Sequence, residues 1–296
     1  MSAAEQKLGL LLDADFLAFQ AAANVTRVVE WDDGILTTWA DLEAAKEAFC
    51  NQVEALTSRN RRWSTAKVIM CFTDDYNWRK DVLPSYKAAR SGVGKGKPIA
   101  YWLLVEWIKE NYECFQRPGL EGDDCMGILS TKPSLIGCTH TIIVSPDKDF
   151  KTVPGEFFWM TTGETLVLSE EDANYWHMYQ TLMGDTTDGY AGCPGIGPGS
   201  AAEFLAEPHI VYEDEKVLKS GPRKGETVKF WTKRPLAEGE DLWDGIVSLF
   251  VKAGLTEEDA LVQARVARIL RASDFDFKEK RPILWTRPVK EDVGTD

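Results

Sequence analysis

The sequence predicts an α/β protein: a mostly parallel central sheet flanked by helices, followed by a helical C-terminal portion. Three observations lead there. Three short apolar or β-branched runs, 8–13, 67–74 and 141–147, each end in an aspartate, as buried parallel strands do when their C-terminal ends face a site. Helical patterns at about 39–58, 98–111 and 122–131 alternate with these runs, which favours a parallel sheet covered on both faces. Beyond about residue 170 the pattern becomes helical.

In chain order, Leu8-Gly9-Leu10-Leu11-Leu12-Asp13 reads as the first strand, with Gly9 marking a close backbone approach. Lys67 to Asp74 and Thr141 to Asp147 repeat the design. Further helices are expected near 171–183, 199–206, 242–253 and 257–271, interrupted by a Lys-rich insertion at 208–240 that reads as a β-hairpin-like excursion. The expected division is an α/β catalytic core at 1–170, including a basic loop at 79–100, and a helical portion at 171–296 packed on it.

Composition narrows the class. The chain has 296 residues, 44% hydrophobic, with eleven Trp, enough for a substantial core. No stretch approaches the roughly 20 apolar residues that span a bilayer, and the N-terminus lacks the apolar core of a signal peptide, so the expected compartment is the cytoplasm. The six cysteines are scattered, without a Cys-x-x-Cys pair, and only three histidines accompany them. Reduced buried thiols are expected, not disulfides or zinc.

A formal charge of −13 argues at first against a nucleic-acid ligand. Its distribution reverses that. Arg79, Lys80, Lys87, Arg90, Lys95 and Lys97 form one basic run, and Lys216, Lys219, Arg223, Lys224, Lys229, Lys233 and Arg234 a second. The acids gather in short motifs that bound cations would neutralise.

Those motifs carry the chemistry. Asp13 with Asp15, and Asp74 with Asp75, stand at strand ends, where an acid alone is often only a cap or a turn residue. Glu121-Gly122-Asp123-Asp124 opens a helix, where the N-terminal dipole favours carboxylates and a capping cluster is the plainer alternative. Asp147 and Asp149 can point to one side of an extended segment, and Asp185 and Asp188 are flanked by Gly184 and Gly189. Oxygen donors without His or Cys select Mg²⁺, with Mn²⁺ as a substitute, and so large a set suits two ions about 4 Å apart acting on a phosphodiester.

The order of these motifs resembles the flap endonuclease/5′→3′ exonuclease family, and within it the branch of short-tailed bacteriophages of the T-seven type, over nearly the whole chain. The carriers are Leu12-Asp13-Ala14-Asp15, Phe72-Thr73-Asp74 with Asn77-Trp78-Arg79-Lys80, Ser85-Tyr86-Lys87-Ala88-Ala89-Arg90, Glu121-Gly122-Asp123-Asp124, Ser145-Pro146-Asp147-Lys148-Asp149-Phe150 and Gly184-Asp185-Thr186-Thr187-Asp188. The resemblance implies a PIN/FEN-like fold in which Asp13, Asp74, Glu121, Asp123 and Asp124 hold one Mg²⁺. Asp147, Asp149, Asp185 and Asp188 would surround a second. Lys87 and Arg90 would contact the scissile phosphate, Tyr86 would stack on an unpaired nucleotide, and Asp15 would support the first group.

It also implies a helix–hairpin–helix at 184–205, in which Gly192, Gly195, Ile196, Gly197, Gly199 and Ser200 approach duplex phosphates and a K⁺ ion can sit in the turn. Ser91 to Lys97 departs from the family's long arch. It is short and glycine-rich, so attack on a duplex 5′ end is favoured over threading a flap. The implied activity is Mg²⁺-dependent 5′→3′ exonuclease with flap-endonuclease-type cleavage of double-stranded DNA, and of RNA–DNA hybrids, by a monomer serving phage replication, primer removal and DNA degradation in the host cytoplasm. Two rivals explain fewer residues: a haloacid-dehalogenase-like phosphatase and an inactive structure-specific DNA-binding protein.

Overall fold

The first apolar run does form a strand, β1 (Leu8–Asp13), buried along both faces of a parallel sheet. The computed structural model describes residues 7–90 and 96–288. In chain order β1 is followed by α1 (Ala14–Val25), β2 (Thr26–Glu30), β3 (Leu36–Ala40), α2 (Leu42–Thr57), β4 (Lys67–Cys71), α3 (Arg79–Val82), α4 (Tyr101–Asn111), β5 (Cys114–Phe115), α5 (Gly122–Thr131) and β6 (His140–Ser145). Then come β7 (Gly155–Trp159), β8 (Glu164–Leu168), α6 (Glu170–Met183), α7 (Pro198–Ala206), β9 (His209–Val217), β10 (Thr227–Pro235), α8 (Leu242–Lys252), α9 (Glu257–Ala267), β11 (Phe275–Asp276) and β12 (Arg281–Pro282).

The main sheet runs β5-β4-β1-β6-β7-β8, parallel except for β8 at the edge. From β1 the chain moves outward to β4 and β5, then returns to β6 on the other side of β1. The strand order therefore reverses between β1 and β6, and the crevice beyond the C-terminal ends of two such strands is where α/β sheets bind ligands. Asp13 ends β1 there, level with Cys71 of β4.

Leu8, Leu10 and Leu12 join Leu17 and Ala21 of α1, Phe49 of α2 and Leu104 and Ile108 of α4 in one apolar cluster. Helix α5 contacts β1, β4 and β6 but contributes nothing to that cluster, so it covers the opposite face. Gly9 is the close approach expected of it: a Cβ there would lie 3.1 Å from Ile136 Cδ1 and 3.2 Å from Cys138 Sγ.

Among the described residues the chain divides into two compact units. The first runs to Trp78, resumes at Arg90 and from 96 to Ala173, and regains Ile269–Ile283. The second comprises Arg79–Ala89, Asn174–Arg268 and the residues from Leu284. A single linear boundary near 170 misses both exchanges. Helix α9 ends at Ala267, short of the expected 271, because Arg268 turns extended and the chain then returns to the first unit. There Leu270 N–H donates to Asp124 Oδ1 at 3.1 Å and the Arg271 guanidinium donates to Thr152 O and Glu170.

The second unit is helical, as expected, with Leu182, Phe204, Trp243, Ile246 and Phe250 in its core. The 208–240 insertion is a hairpin of β9 and β10. Three of its seven cations pair within it: Lys229 with Glu213 at 2.7 Å, Arg223 with Glu226 at 2.6 Å and Arg234 with Glu240 at 2.6 Å. Seven cations face six carboxylates between 208 and 240, so the expected basic run is close to neutral. The β2–β3 hairpin, β5 and the β7–β8 pair were not foreseen, and residues 39 and 40 are strand where a helix was expected.

Candidate metal centre and nucleic-acid interface

In the first unit, strand ends and one helix start bring the acids to the crevice. Asp13 closes β1 and caps α1, its Oδ1 accepting from Phe16 N at 3.0 Å. Its Oδ2 accepts from Ser145 Oγ at 3.1 Å, and the same hydroxyl accepts from Asp147 N at 3.2 Å. Fully buried Ser145 at the end of β6 therefore holds both sides of the switch point in register. In the sequence the only signal for this role of Ser145 is its place directly before Pro146-Asp147.

Burial pushes the Asp13 carboxyl up to about 6, and the charges of Asp15 and Asp147 add to the rise, while the Phe16 and Ser145 hydrogen bonds oppose it. A desolvated carboxylate beside other negative groups is one that a hard cation stabilises. The Cys71 thiol is no competitor, because burial drives it well above its ordinary range and keeps it protonated. Asp147 Oδ1 accepts from Asp149 N at 2.8 Å, and Lys148 Nζ lies 2.8 Å from Asp149 Oδ1, so this segment is already tightly turned. Glu121 is the N-cap of α5, and Asp123 sits half-buried in its first turn.

Asp15 ties neighbouring elements together. Its oxygens accept from Thr73 N and Tyr101 OH, each at 2.8 Å, tying the end of β4 and the start of α4 to α1. Tyr101 was not foreseen.

One of the expected ligands is otherwise engaged. Asp124 is fully buried; it accepts from Trp78 Nε1 at 2.9 Å, Leu270 N at 3.1 Å and Glu121 N at 3.3 Å. That makes it the reciprocal half of a capping box and a core anchor, so the capping alternative holds for this residue. Asp74 Oδ2 accepts from Gly119 N at 2.8 Å and Oδ1 from Gln116 Nε2 at 3.4 Å, bonds no more binding than those of Asp13, while Asp75 is exposed. Among the described residues no three His, Cys, Asp or Glu side chains converge into a ready ion cage. The fit to a divalent ion is one of donor chemistry.

The second unit holds its own cluster. Asp185 Oδ1 accepts from Thr187 N at 2.8 Å and Asp188 N at 3.3 Å, closing a tight loop. Asp188 Oδ2 accepts from Tyr86 OH at 3.0 Å and lies 3.5 Å from Lys87 Nζ. Tyr86 is only 3% exposed, packed with Tyr190 and Val266, so it positions Asp188 and is not presented for stacking. Arg79 is likewise corrected. Only 2% exposed, it donates to Val266 O at 3.0 Å and Arg268 O at 2.5 Å, and it cannot reach a phosphate.

Lys80 is exposed, and Lys97 in the first unit rests 4.2 Å from the Tyr101 ring centroid. The 91–95 stretch, with Lys95, lies outside the described residues, and of Arg90 only the backbone is described. Helices α6 and α7 flank the glycine turn. Gly192, at φ 66°, is needed for packing: a Cβ there would strike Leu182 O and the Gly184 backbone. Gly195, at φ 80°, and Gly199 are open, as is Gly197, which caps α7. Ser200 is exposed and Ile196 packs on the core.

A family model described as 5′-3′ exonuclease, N-terminal resolvase-like domain, matches residues 9–174. The chain is 41% identical over 281 residues to an exodeoxyribonuclease of Enterobacteria phage T3, covering 94% of this chain and 92% of the relative. It is 40% identical over 280 residues to an exonuclease of Escherichia phage T7, covering 93% and 92%. Among solved structures it is similar to the T5 D15 protein co-crystallized with metal ions, with a TM-score of 0.55 at 15% identity over 89% of this chain and 90% of that one. A T5 D15 flap endonuclease complex with DNA and metal ions gives 0.56 at 16% identity, covering 89% of both chains. At such identities the likeness shows the fold alone, and it agrees with the mostly parallel sheet flanked by helices.

Proposed function

Because the chain belongs to the 5′–3′ exonuclease family, we propose that it hydrolyses phosphodiester bonds near the 5′ ends of duplex DNA, with flap-endonuclease-type activity, using Mg²⁺. Relatives named exodeoxyribonuclease and exonuclease support this at about two-fifths identity over most of the chain. The observation that carries the site is the Asp13–Ser145–Asp147 link across the switch point, where β1 and β6 each deliver a carboxylate.

Asp13, Asp74, Glu121, Asp123, Asp147 and Asp149 are the residues of the first unit suited to hold divalent ions. Bound Mg²⁺, as two ions in this reading, with Mn²⁺ as substitute, supplies activated water and charge stabilisation at phosphorus. Asp13 is primed for a cation by its burial and its acidic neighbours, and Ser145 orients it. Asp185 and Asp188 enter as ligands on the sequence resemblance. Lys87 is assigned to the reacting phosphate, held by Asp188 until substrate arrives. Gly195, Gly197, Gly199 and Ser200 before and within α7 offer open backbone to duplex phosphates, with K⁺ in the turn. RNA–DNA hybrid cleavage, a monomeric state, a role in phage replication, primer removal and DNA degradation, and action in the host cytoplasm belong to the same proposal. Among the described residues no helix is long and apolar enough to cross a membrane.

The phosphatase alternative leaves the match to the phage exonucleases without explanation. The deciding experiment is cleavage of a 5′-labelled duplex and a 5′-flap substrate in Mg²⁺ by wild type and Asp147→Ala. Short 5′ products that vanish in the variant support the proposal. Wild-type binding without cleavage of either substrate overturns it and favours a DNA-binding protein.

A further inference from the structure

At the edge of the sheet opposite the carboxylates, a cavity of about 550 Å³ opens between the N-terminal ends of β1, β4 and β6. Its polar lining is almost wholly basic: Lys7, Arg62, Lys67 and His140, with Ala66 and Cys138 beside them. The chain supplies this charge locally. Between Glu54 and Asp74 it carries Arg59, Arg61, Arg62 and Lys67 and no acid, in a protein of net charge −13.

The cations are held in place from behind. Glu156 takes the Arg62 guanidinium through both nitrogens at 2.8–3.1 Å and also lies 3.0 Å from His140 Nε2. Lys67 is held by Glu113 at 2.7 Å and donates to Ile136 O at 2.9 Å. Neither glutamate lines the cavity. Side chains ordered in this way lose less freedom when an anion arrives. A volume of this size is within the range of small-molecule sites.

We infer that this cavity binds a phosphomonoester, the class that includes the mononucleotides released by an exonuclease. The monoester is preferred over a polynucleotide because Lys7, Arg62, Lys67 and His140 meet around one small volume, with Arg62 and Lys67 each carrying one carboxylate partner outside it. A terminal phosphate concentrates about −1.5 to −2 charges at one point, whereas a diester backbone carries one per nucleotide. The ligand's origin as reaction product rests on the proposed nuclease activity; the anion chemistry of the cavity does not.

The test is calorimetric titration of the full chain with thymidine 5′-monophosphate, inorganic phosphate and thymidine in EDTA, so that no divalent ion draws phosphate to the carboxylates. Both phosphates should bind saturably at one site and thymidine should not. Lys7→Glu and Lys67→Met should each weaken phosphate binding at least tenfold. Lys7→Glu alters an exposed side chain outside any strand or helix and serves as the variant safe for folding. Absence of saturable binding at millimolar ligand, equal binding of thymidine, or affinity unchanged in both variants overturns the inference. If the monophosphate binds and inorganic phosphate does not, a free-phosphate site is excluded and a nucleotide site stands. With neither Mg²⁺ nor polynucleotide present, failure here leaves the nuclease proposal intact, and failure of cleavage leaves this binding measurable.

Discussion

Lys87 and Asp188 are joined twice. The Lys87 backbone N–H donates to Asp188 O at 2.7 Å, and its ammonium lies 3.5 Å from Asp188 Oδ2, with both side chains only 15% exposed. Lys87 adopts φ 53°, a left-handed conformation that a lysine takes only when its surroundings impose it. The charge assigned to the reacting phosphate is therefore placed by the loop that carries Asp185 and Asp188. Lys87→Ala should lower the cleavage rate about 10²–10³-fold, the usual effect of losing one electrostatic donor, with duplex affinity in EDTA little changed. An equal fall in affinity would make Lys87 a binding residue only.

Gly189 closes the same clasp. At φ 79° a Cβ would lie 2.9 Å from Ser85 O. Gly189→Ala should cost about 1–2 kcal/mol from the left-handed backbone alone and should slow cleavage although no titratable group is removed. Urea unfolding together with single-turnover rates would show both effects, and an unchanged rate would separate the clasp from catalysis.

Ser145→Ala removes the hydroxyl shared by Asp13 and Asp147. Leaving the partly buried Asp13 carboxylate without this donor should cost about 1–3 kcal/mol. The Mg²⁺ concentration needed for half-maximal cleavage should rise as Asp13 loses its orientation. A variant that loses stability with an unaltered Mg²⁺ requirement would confine Ser145 to a packing role.

Arg79→Met should destabilise the protein by about 2–4 kcal/mol, since two buried carbonyls lose their charged donor. The salt dependence of DNA binding should stay as it is. Lys80→Ala, at an exposed neighbour, should do the reverse. A flattened salt slope in Arg79→Met would return that residue to the DNA interface.

The Glu156 carboxyl is held below the usual glutamate range: burial raises it, but Arg62 and then His140 outweigh that. A depressed carboxylate contributes stability above its unfolded pKa, about 4.3, and that stability is lost as pH falls through the lower folded value. Unfolding midpoints of wild type and Glu156→Gln should therefore differ at pH 7 and converge below about pH 4. A constant gap across that range would mean that the substitution acts through packing.

The three buried strands, the helix start at Gly122 and the acids at the strand ends were legible in the sequence by itself, because apolar runs ending in carboxylates and capping patterns are local signals. So was the family, carried by short motifs in a set order. What each acid does was decided only by the tertiary structure. Asp123 and Asp124 are neighbours of one residue type, yet Asp124 is sealed by Trp78 and Leu270, residues distant in sequence. Tyr86 and Arg79 looked like substrate contacts and are buried supports, and in the basic 208–240 run Lys229 is paired with Glu213 across two strands. The return of Ile269–Ile283 to the first unit belongs to the same class. A backbone N–H or carbonyl brought in from a remote segment takes up a carboxylate or guanidinium as effectively as any ligand, and its arrival depends on how the chain packs, not on the residues beside the charge.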